Sequence, residues 1–284
     1  MSGGYVELGR RIGALYALPS GEPSPEDPMP VVDELLALLE HGTIRAAVRD
    51  AEGAWHAVPW VKQGILLAFR HGRIADLSGG SGAFSFVDKH TMPPRRFNAE
   101  SGVRIVPGGS TVRRGAYLAR GVVCMPPMYV NVGAWVGEGT MIDSHALVGS
   151  CAQIGARVHL SAAAQVGGVL EPVNAAPVVI EDDVVVGGNC GVYEGTVVRA
   201  KAVLGAGVIL TRGTPVFDLV RETVYRATAG SPLEIPAGAV VVPGARAVKG
   251  GWGAEQGLSL QTPVIVKYRD DKTDLATALE SWLR

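Results

Sequence analysis

The sequence predicts a mainly β protein whose long middle, residues 106–248, is a parallel β-helix of hexapeptide coils. Three observations carry that expectation. Stepping by six from Val106, the chain places a small apolar residue at Val112, Leu118, Cys124, Val130, Val136, Ile142, Val148, Ile154, Leu160 and Val166 without a break. After EPVNAAPVV the series resumes at Ile180, Val186, Val192, Val198, Leu204, Leu210 and Val216, and it returns at Ile235 and Val241. The residue after the apolar one is often small or glycine, as in VGSCAQ, IGARVH and LGAGVI, which fits a sharp corner where glycine tolerates unusual dihedrals. Glycine contributes 38 of the 284 residues, close to twice its usual share of about 7%, while aromatics make up only 6%. Three hexapeptides then make one triangular coil, and stacked coils pair as parallel strands about 4.8 Å apart around an axis filled with Val, Ile and Leu. An amphipathic helix needs apolar spacings of three and four, and a sandwich needs turn signals every ~8–12 residues.

The flanks read differently. A proline-rich loop at 19–30 precedes a helix at 31–42, VVDELLALLEHG, which stops at His41-Gly42. The stretches 43–50 and 54–58 make a hairpin across Ala51, Glu52 and Gly53, and a second helix starts at Pro59 and runs to about residue 72. TPVIVKYR at 262–269 is a strand, and 270–284 is a helix with Leu275, Leu279 and Trp282 on one side. The expected organisation is an N-terminal α/β cap domain at 1–103, the β-helix at 104–250 and a C-terminal strand and helix at 251–284. Caps protect the open ends of a solenoid, which expose unpaired strand edges and core.

Composition narrows the functional classes. A formal net charge of −1 offers no footprint for phosphate backbones or anionic lipid, so neither nucleic acid nor membrane is an expected partner. No apolar run reaches signal-peptide or membrane-span length, and a cytoplasmic location is expected. Cys124, Cys151 and Cys190 cannot all pair within one chain and show no CxxC spacing, which makes them reduced packing thiols.

Several segments resemble one family of hexapeptide-repeat acyltransferases, the 2,3,4,5-tetrahydropyridine-2,6-dicarboxylate (tetrahydrodipicolinate) N-succinyltransferases. They are WVKQGILLAFR at 60–70, FVDKH at 86–90, VRIVP at 103–107, YVNVGAW at 129–135, EGTMIDSHALVGSCAQIGARVHLS at 138–161, VGGVLEP at 166–172 and IPAGAVVVPG at 235–244. GSCAQIG and GGVLEP are far more specific than a bare hexapeptide pattern. The resemblance implies a left-handed sense for the parallel β-helix, against the usual right-handed crossover. It also implies a homotrimer with active sites between subunits, and transfer of a succinyl group from succinyl-CoA to the amine of L-2-amino-6-oxopimelate. Succinyl-CoA is then a cosubstrate, with no bound cofactor and no metal.

Such a reaction needs a base for a protonated amine, donors for an oxyanion and cations for the acceptor's carboxylates. Asp143 in MIDSHALVG and Glu194 in GVYEGTVV match the family's acidic positions, with Glu194 as base and Asp143 binding and orienting the amine, or the reverse. The two are expected to meet across a subunit boundary. Arg104 matches the substrate-binding arginine, and a guanidinium suits a carboxylate clamp. Arg113 and Arg114 are weaker candidates, and Ser161 either holds the acceptor or satisfies a turn. For CoA, small residues at Gly188, Ala206 and Gly207 permit close approach along exposed backbone, and Lys249 can meet a phosphate.

The chain departs from the family at Ser144-His145, where relatives commonly have Thr-Trp, at MPPMYVN, one residue longer than MPSYVN, and at HLSAA in place of HLSGG. His145 or His159 is an alternative base. The six histidines include no close pair at ligand spacing, which argues against a zinc carbonic anhydrase site. Other readings are a hexapeptide acyltransferase with acetyl-CoA or a different acceptor, and a non-catalytic scaffold, which would not bind CoA.

Overall fold

A computed structural model describes residues 5–19, 22, 24–78 and 85–269. It is a left-handed parallel β-helix with a small N-terminal α/β domain. The chain winds around a triangular prism in two-residue strands, always in the order first face, second face, third face. The first face stacks six strands, from Tyr117–Leu118 through Trp135–Val136, Gln153–Ile154, Val179–Ile180 and Val197–Val198 to Glu234–Ile235. The second runs from Arg104–Ile105 through Val123–Cys124, Met141–Ile142, His159–Leu160 and Val185–Val186 to Val203–Leu204 and Ala239–Ala247. The third runs from Thr111–Val112 through Tyr129–Val130, Leu147–Val148, Gln165–Val166 and Gly191–Val192 to Ile209–Leu210.

The second residue of each two-residue pair points inward, so Ile142, Ile154, Leu160, Ile180 and Val198 are all fully buried. The six-residue series places these correctly, with two exceptions. At the start, Ile105 rather than Val106 lies in register with Cys124, because the PGGS bend lengthens the first step. At the end, Val216 is buried but pairs with Tyr225 in an outlying hairpin, and Ile235 takes the place above Val198.

The glycine after each inward residue has a different role from the one expected. The left-handed position of the corner is the third residue after the inward one, and many of these are not glycine: His145, Cys151, Arg157, Ala163, Asp183, Asn189 and Lys201. The glycine just after the inward residue has no positive φ; it is needed for closeness. A Cβ on Gly137 would lie 2.5 Å from the Gly155 carbonyl carbon, and one on Gly187 would lie 2.6 Å from Ala206 N. Coils can stack at strand spacing there only because the side chain is absent.

The N-terminal domain is built on three helices: α1 (Val6–Tyr16), α2 (Met29–Glu40) and α3 (Pro59–His71). The latter two match expectation. The first does not appear among the expected helices, although Leu8, Ile12 and Leu15 carry its helical spacing and are all buried. The hairpin Ala47–Arg49/Trp55–Ala57 forms as expected, and a second hairpin, Ile74–Asp76/Val87–Lys89, was not foreseen. The helical core merges with Val132 and Cys151, so the domain sits on the edge between third and first faces. The first hairpin is tied to the first face through Glu181, which accepts from Trp55 Nε1 at 3.0 Å, Arg199 Nη1 at 2.9 Å and Ala200 N at 3.0 Å.

At the far end Ala239–Ala247 leaves the prism as an arm, paired antiparallel with Ser259–Tyr268, a longer strand than expected. A short helix, α4 (Gly251–Glu255), joins them. The helix expected at 270–284 lies outside the described residues. Among the described residues no helix is long and apolar enough to cross a membrane. Cys124, Cys151 and Cys190 are free and buried, and burial pushes the thiols of Cys124 and Cys151 up to about 12.

Two outcomes follow from this packing. Gly137→Ala destabilises by about 1–3 kcal/mol through overpacking, whereas Gly230→Ala, with open space around it, does not; urea denaturation of both variants checks this. Burial alone would raise the Glu181 pKa, but the bonds from Trp55, Arg199 and Ala200 outweigh it and hold the carboxyl below its ordinary 4.5. Its contribution is therefore full above about pH 4.5 and fades as pH falls through the lower folded value. The stability gap between the native chain and Glu181→Gln should persist from pH 7 to about 4.5 and shrink below.

Candidate functional site

The six-residue step decides which residues share an edge. Between the second and third faces, Asp143 N donates to Leu160 O at 2.9 Å, Ser161 N to Val186 O at 2.9 Å and Gly187 N to Leu204 O at 2.7 Å. Asp143, Ser161, Gly187 and Gly205 therefore stack one above another. Beside them run Ser144, Ala162, Gly188 and Ala206, then His145, Ala163, Asn189 and Gly207, with Ala163 N on Ser144 O, Asn189 N on Ala162 O and Gly207 N on Gly188 O. One edge thus collects Asp143, Ser161, Gly188, Ala206 and Gly207. It begins at a carboxylate and over the next three coils, about 14 Å at strand spacing, becomes nearly bare backbone. Gly207 also serves its corner, where its φ is +80°.

Asp143 is held by its surroundings. Its Oδ1 accepts the Ser144 N–H at 2.8 Å, and Oδ2 lies 3.9 Å from His159 Nε2. His159 stands on the second face next to Met141, and Arg104 lies two coils below Met141 on that face through Val123. Arg104 is exposed, with no carboxylate partner among the described residues. Arg113 and Arg114 are engaged elsewhere: Arg113 pairs with Asp88 and Arg114 with Asp33 at 2.9 Å, both in the N-terminal domain. Both arginines thus tie the N-terminal domain to the prism.

Glu194 occupies the next edge, between third and first faces, two coils further along than Asp143. Its Oε2 accepts the Arg212 N–H at 2.8 Å. The ordinary left-handed position of this corner is Gly195, at φ +73°, yet Glu194 also has φ +54°. A non-glycine residue there costs roughly 1–2 kcal/mol, so the corner holds this carboxylate in a strained place. Within one chain Asp143 and Glu194 do not meet; they stand on the two edges that bound the third face. Lys249 is exposed beyond the arm strand Ala239–Ala247, which leads away from the edge above Gly205.

The departures in sequence have local readings. Cys124 to Val130 is a regular six-residue step, so MPPMYVN completes an ordinary coil. His145 is exposed at the left-handed corner with φ +62°, beside Asp143. Ala163 of HLSAA has φ +59°, a position that suits glycine better.

Two features were missed from sequence. Gln153 of GSCAQIG is buried and accepts from Arg45 Nε at 2.8 Å, with the guanidinium carbon 3.8 Å from the Trp135 ring centroid. Together with Trp55 and Glu181 they line a cavity of about 360 Å³ between hairpin and first face. Lys62 of WVKQG is fully buried and donates to Ala175 O at 2.5 Å. The available signal was a polar residue inside an otherwise apolar motif. Among the described residues no group of three or more His, Cys, Asp or Glu side chains is placed to hold a metal ion.

Comparison with known proteins agrees with this architecture. The family described as tetrahydrodipicolinate N-succinyltransferase N-terminal matches residues 17–71, and that described as hexapeptide repeat of succinyl-transferase matches 177–212. A Rhodopseudomonas palustris (strain BisA53) protein named 2,3,4,5-tetrahydropyridine-2,6-dicarboxylate N-succinyltransferase is 42% identical over 258 residues, covering 89% of both chains. One of the same name from Polynucleobacter asymbioticus is 41% identical over 271 residues, covering 93% of each. A solved Campylobacter jejuni structure, described as a candidate 2,3,4,5-tetrahydropyridine-2-carboxylate N-succinyltransferase, overlays with TM-score 0.46 at 17% identity, covering 87% of this chain and 64% of that one. The assignment rests on the sequence relatives: this chain belongs to the tetrahydrodipicolinate N-succinyltransferase family.

Proposed function

We propose that the protein transfers a succinyl group from succinyl-CoA to the amine of L-2-amino-6-oxopimelate, the ring-opened form of tetrahydrodipicolinate, in lysine and diaminopimelate biosynthesis. Family membership supplies the reaction. The observation that carries it to this site is the single edge on which a fixed carboxylate, Asp143, gives way to a bare-backbone strip at Gly188, Ala206 and Gly207. An extended pantetheine arm can lie along such a strip and hydrogen-bond to peptide groups, leading the thioester towards Asp143. Lys249 is the candidate for a CoA phosphate.

An alkyl ammonium must lose a proton before it can attack. Glu194 is the general base that takes it, and Asp143 binds and orients the amine. Once that first proton has passed on to water, the amine nitrogen adds to the thioester carbonyl and an N–H donor receives the oxyanion; Glu194 then takes the second proton from the positively charged nitrogen of the adduct, and collapse breaks the C–S bond and expels the CoA thiolate, to which Glu194 hands that proton. Arg104 clamps a carboxylate of the acceptor from the second face, and Ser161, one coil above Asp143, donates a hydroxyl to it. His159, 3.9 Å from Asp143, is the alternative base, with exposed His145 less enclosed.

The site is completed by a neighbour. A prism edge is convex and offers half a groove, and Asp143 and Glu194 flank the same face. If three prisms set that face towards a three-fold axis, the Asp143 edge of each lies beside the Glu194 edge of the next. Tyr129, Leu147 and Ile209 are outward residues of that face and suit such a contact.

Glu194→Gln is expected to lower kcat by about 10²–10⁴-fold with the trimer intact. Mixing inactive Asp143→Asn and Glu194→Gln chains should restore activity at about one site in four; mixed trimers with none would overturn the shared site. A thiol-release assay against 2-aminopimelate with succinyl-CoA and acetyl-CoA tests the reaction itself. Turnover with succinyl-CoA is expected, turnover with acetyl-CoA alone would reassign the donor, and turnover with neither would remove the reaction.

A further inference from the structure

Lys62 is a fully buried lysine in the N-terminal domain. It lies in α3 with no exposed surface, and burial pushes its pKa down from the ordinary lysine value of 10.5, a trend the Cys151 thiol opposes. An ammonium out of water is strongly unfavourable unless its protons are taken up. Among the described residues its one hydrogen bond runs to Ala175 O at 2.5 Å, far along the chain in the segment 168–178 that interrupts the hexapeptide series. The turn in that segment is closed by Ala175 N on Pro172 O at 3.0 Å, and Leu170 packs into the helical core.

The same segment lies against the Glu194 corner. A Cβ built on Gly195 would be 2.8 Å from Ala176 O, so the carbonyl after the one Lys62 holds is in contact with the corner backbone. Gly167, where the segment leaves the prism, is overlaid by Tyr193, the residue before Glu194. Above, the carboxylate is held from the other side by Arg212 N. Glu194 is thus clamped between the coil above and an insertion below, and Lys62 anchors the insertion.

We propose that Lys62 is a positioning residue: by fixing the Ala175 carbonyl it presses segment 171–178 against the Gly195 backbone and so sets the aim of the Glu194 carboxylate. A hydrophobic residue at this position would keep the domain packed but leave the insertion untethered. This role rests on Glu194 serving as the base, and it makes the N-terminal domain a working part of the site rather than only a cap.

The test compares purified trimers of Lys62→Met, of similar length without the charge, and Ala175→Pro, which loosens the turn from outside the helical core by removing the bond to Pro172. Kinetics, thermal stability and oligomeric state are measured for both, with Glu194→Gln as reference. Both variants should lose about ten- to a hundredfold in kcat, the scale for a displaced catalytic group, with KM for succinyl-CoA within about twofold, since the proposed CoA strip at that site is backbone of the neighbouring subunit's other edge, which neither substitution touches. Hydrogen–deuterium exchange at 171–178 and at the Gly195 amide should rise in step. A purely structural role would lower melting temperature and leave kcat per folded trimer unchanged. If Lys62→Met does not fold, Ala175→Pro decides alone. Inactive Glu194→Gln beside wild-type kcat in the folded variants overturns the tether and leaves the base assignment standing. Wild-type kcat in Glu194→Gln overturns both.

Discussion

The vertical alignment of successive coils is the constraint on which the rest of the structure depends. Each two-residue strand donates to the coil above and below, and each inward Val, Ile or Leu rests on its counterpart one coil away. Because these ladders are continuous, a residue's place on an edge follows from the residues beneath it. Asp143 is below Ser161 because Ile142 is below Leu160 and Leu160 below Val186. The close approach needed for this is why glycine follows so many inward residues.

A regular prism alone would be chemically bland. Its interest comes from the places where regularity stops: the bend before Thr111, the insertion at 168–178, the excursion after Leu210 and the arm from Ala239. The first lets Arg104 begin the second face as an exposed cation. The insertion brings backbone against the Glu194 corner, and the arm carries the second face outward beyond Gly205. The core of the N-terminal domain packs on the same edge as Glu194, through Val132 and Cys151, and among the described residues it includes none from the Asp143 edge. That asymmetry separates a clamped acid from an accessible strip.

Much of the fold was legible because a period of six is a global property that local errors do not erase. Where the reading slipped, the cause was local geometry. The count of six points to Val106 where Ile105 holds the register, because a bend changes the count without disturbing composition. Val216 kept its apolar character but changed partners, since burial does not specify which strand a residue joins. Glycine was correctly marked as a corner residue for the wrong reason, because dihedral freedom and lack of a side chain look identical in a sequence. The ion pairs of Arg113 and Arg114 were not legible because their partners, Asp88 and Asp33, are remote in the chain.

By itself the sequence determined the prism, the residues that fill it and, through motifs at 60–70, 138–161 and 166–172, the family. Tertiary structure decided that Ser161, Gly188, Ala206 and Gly207 share the edge of Asp143, that Glu194 stands on another, and that Lys62 reaches the insertion beneath it. The physical reason is that periodicity fixes which residues face the axis. The edge a residue occupies after an insertion depends on where the insertion rejoins the stack, and long-range packing settles that.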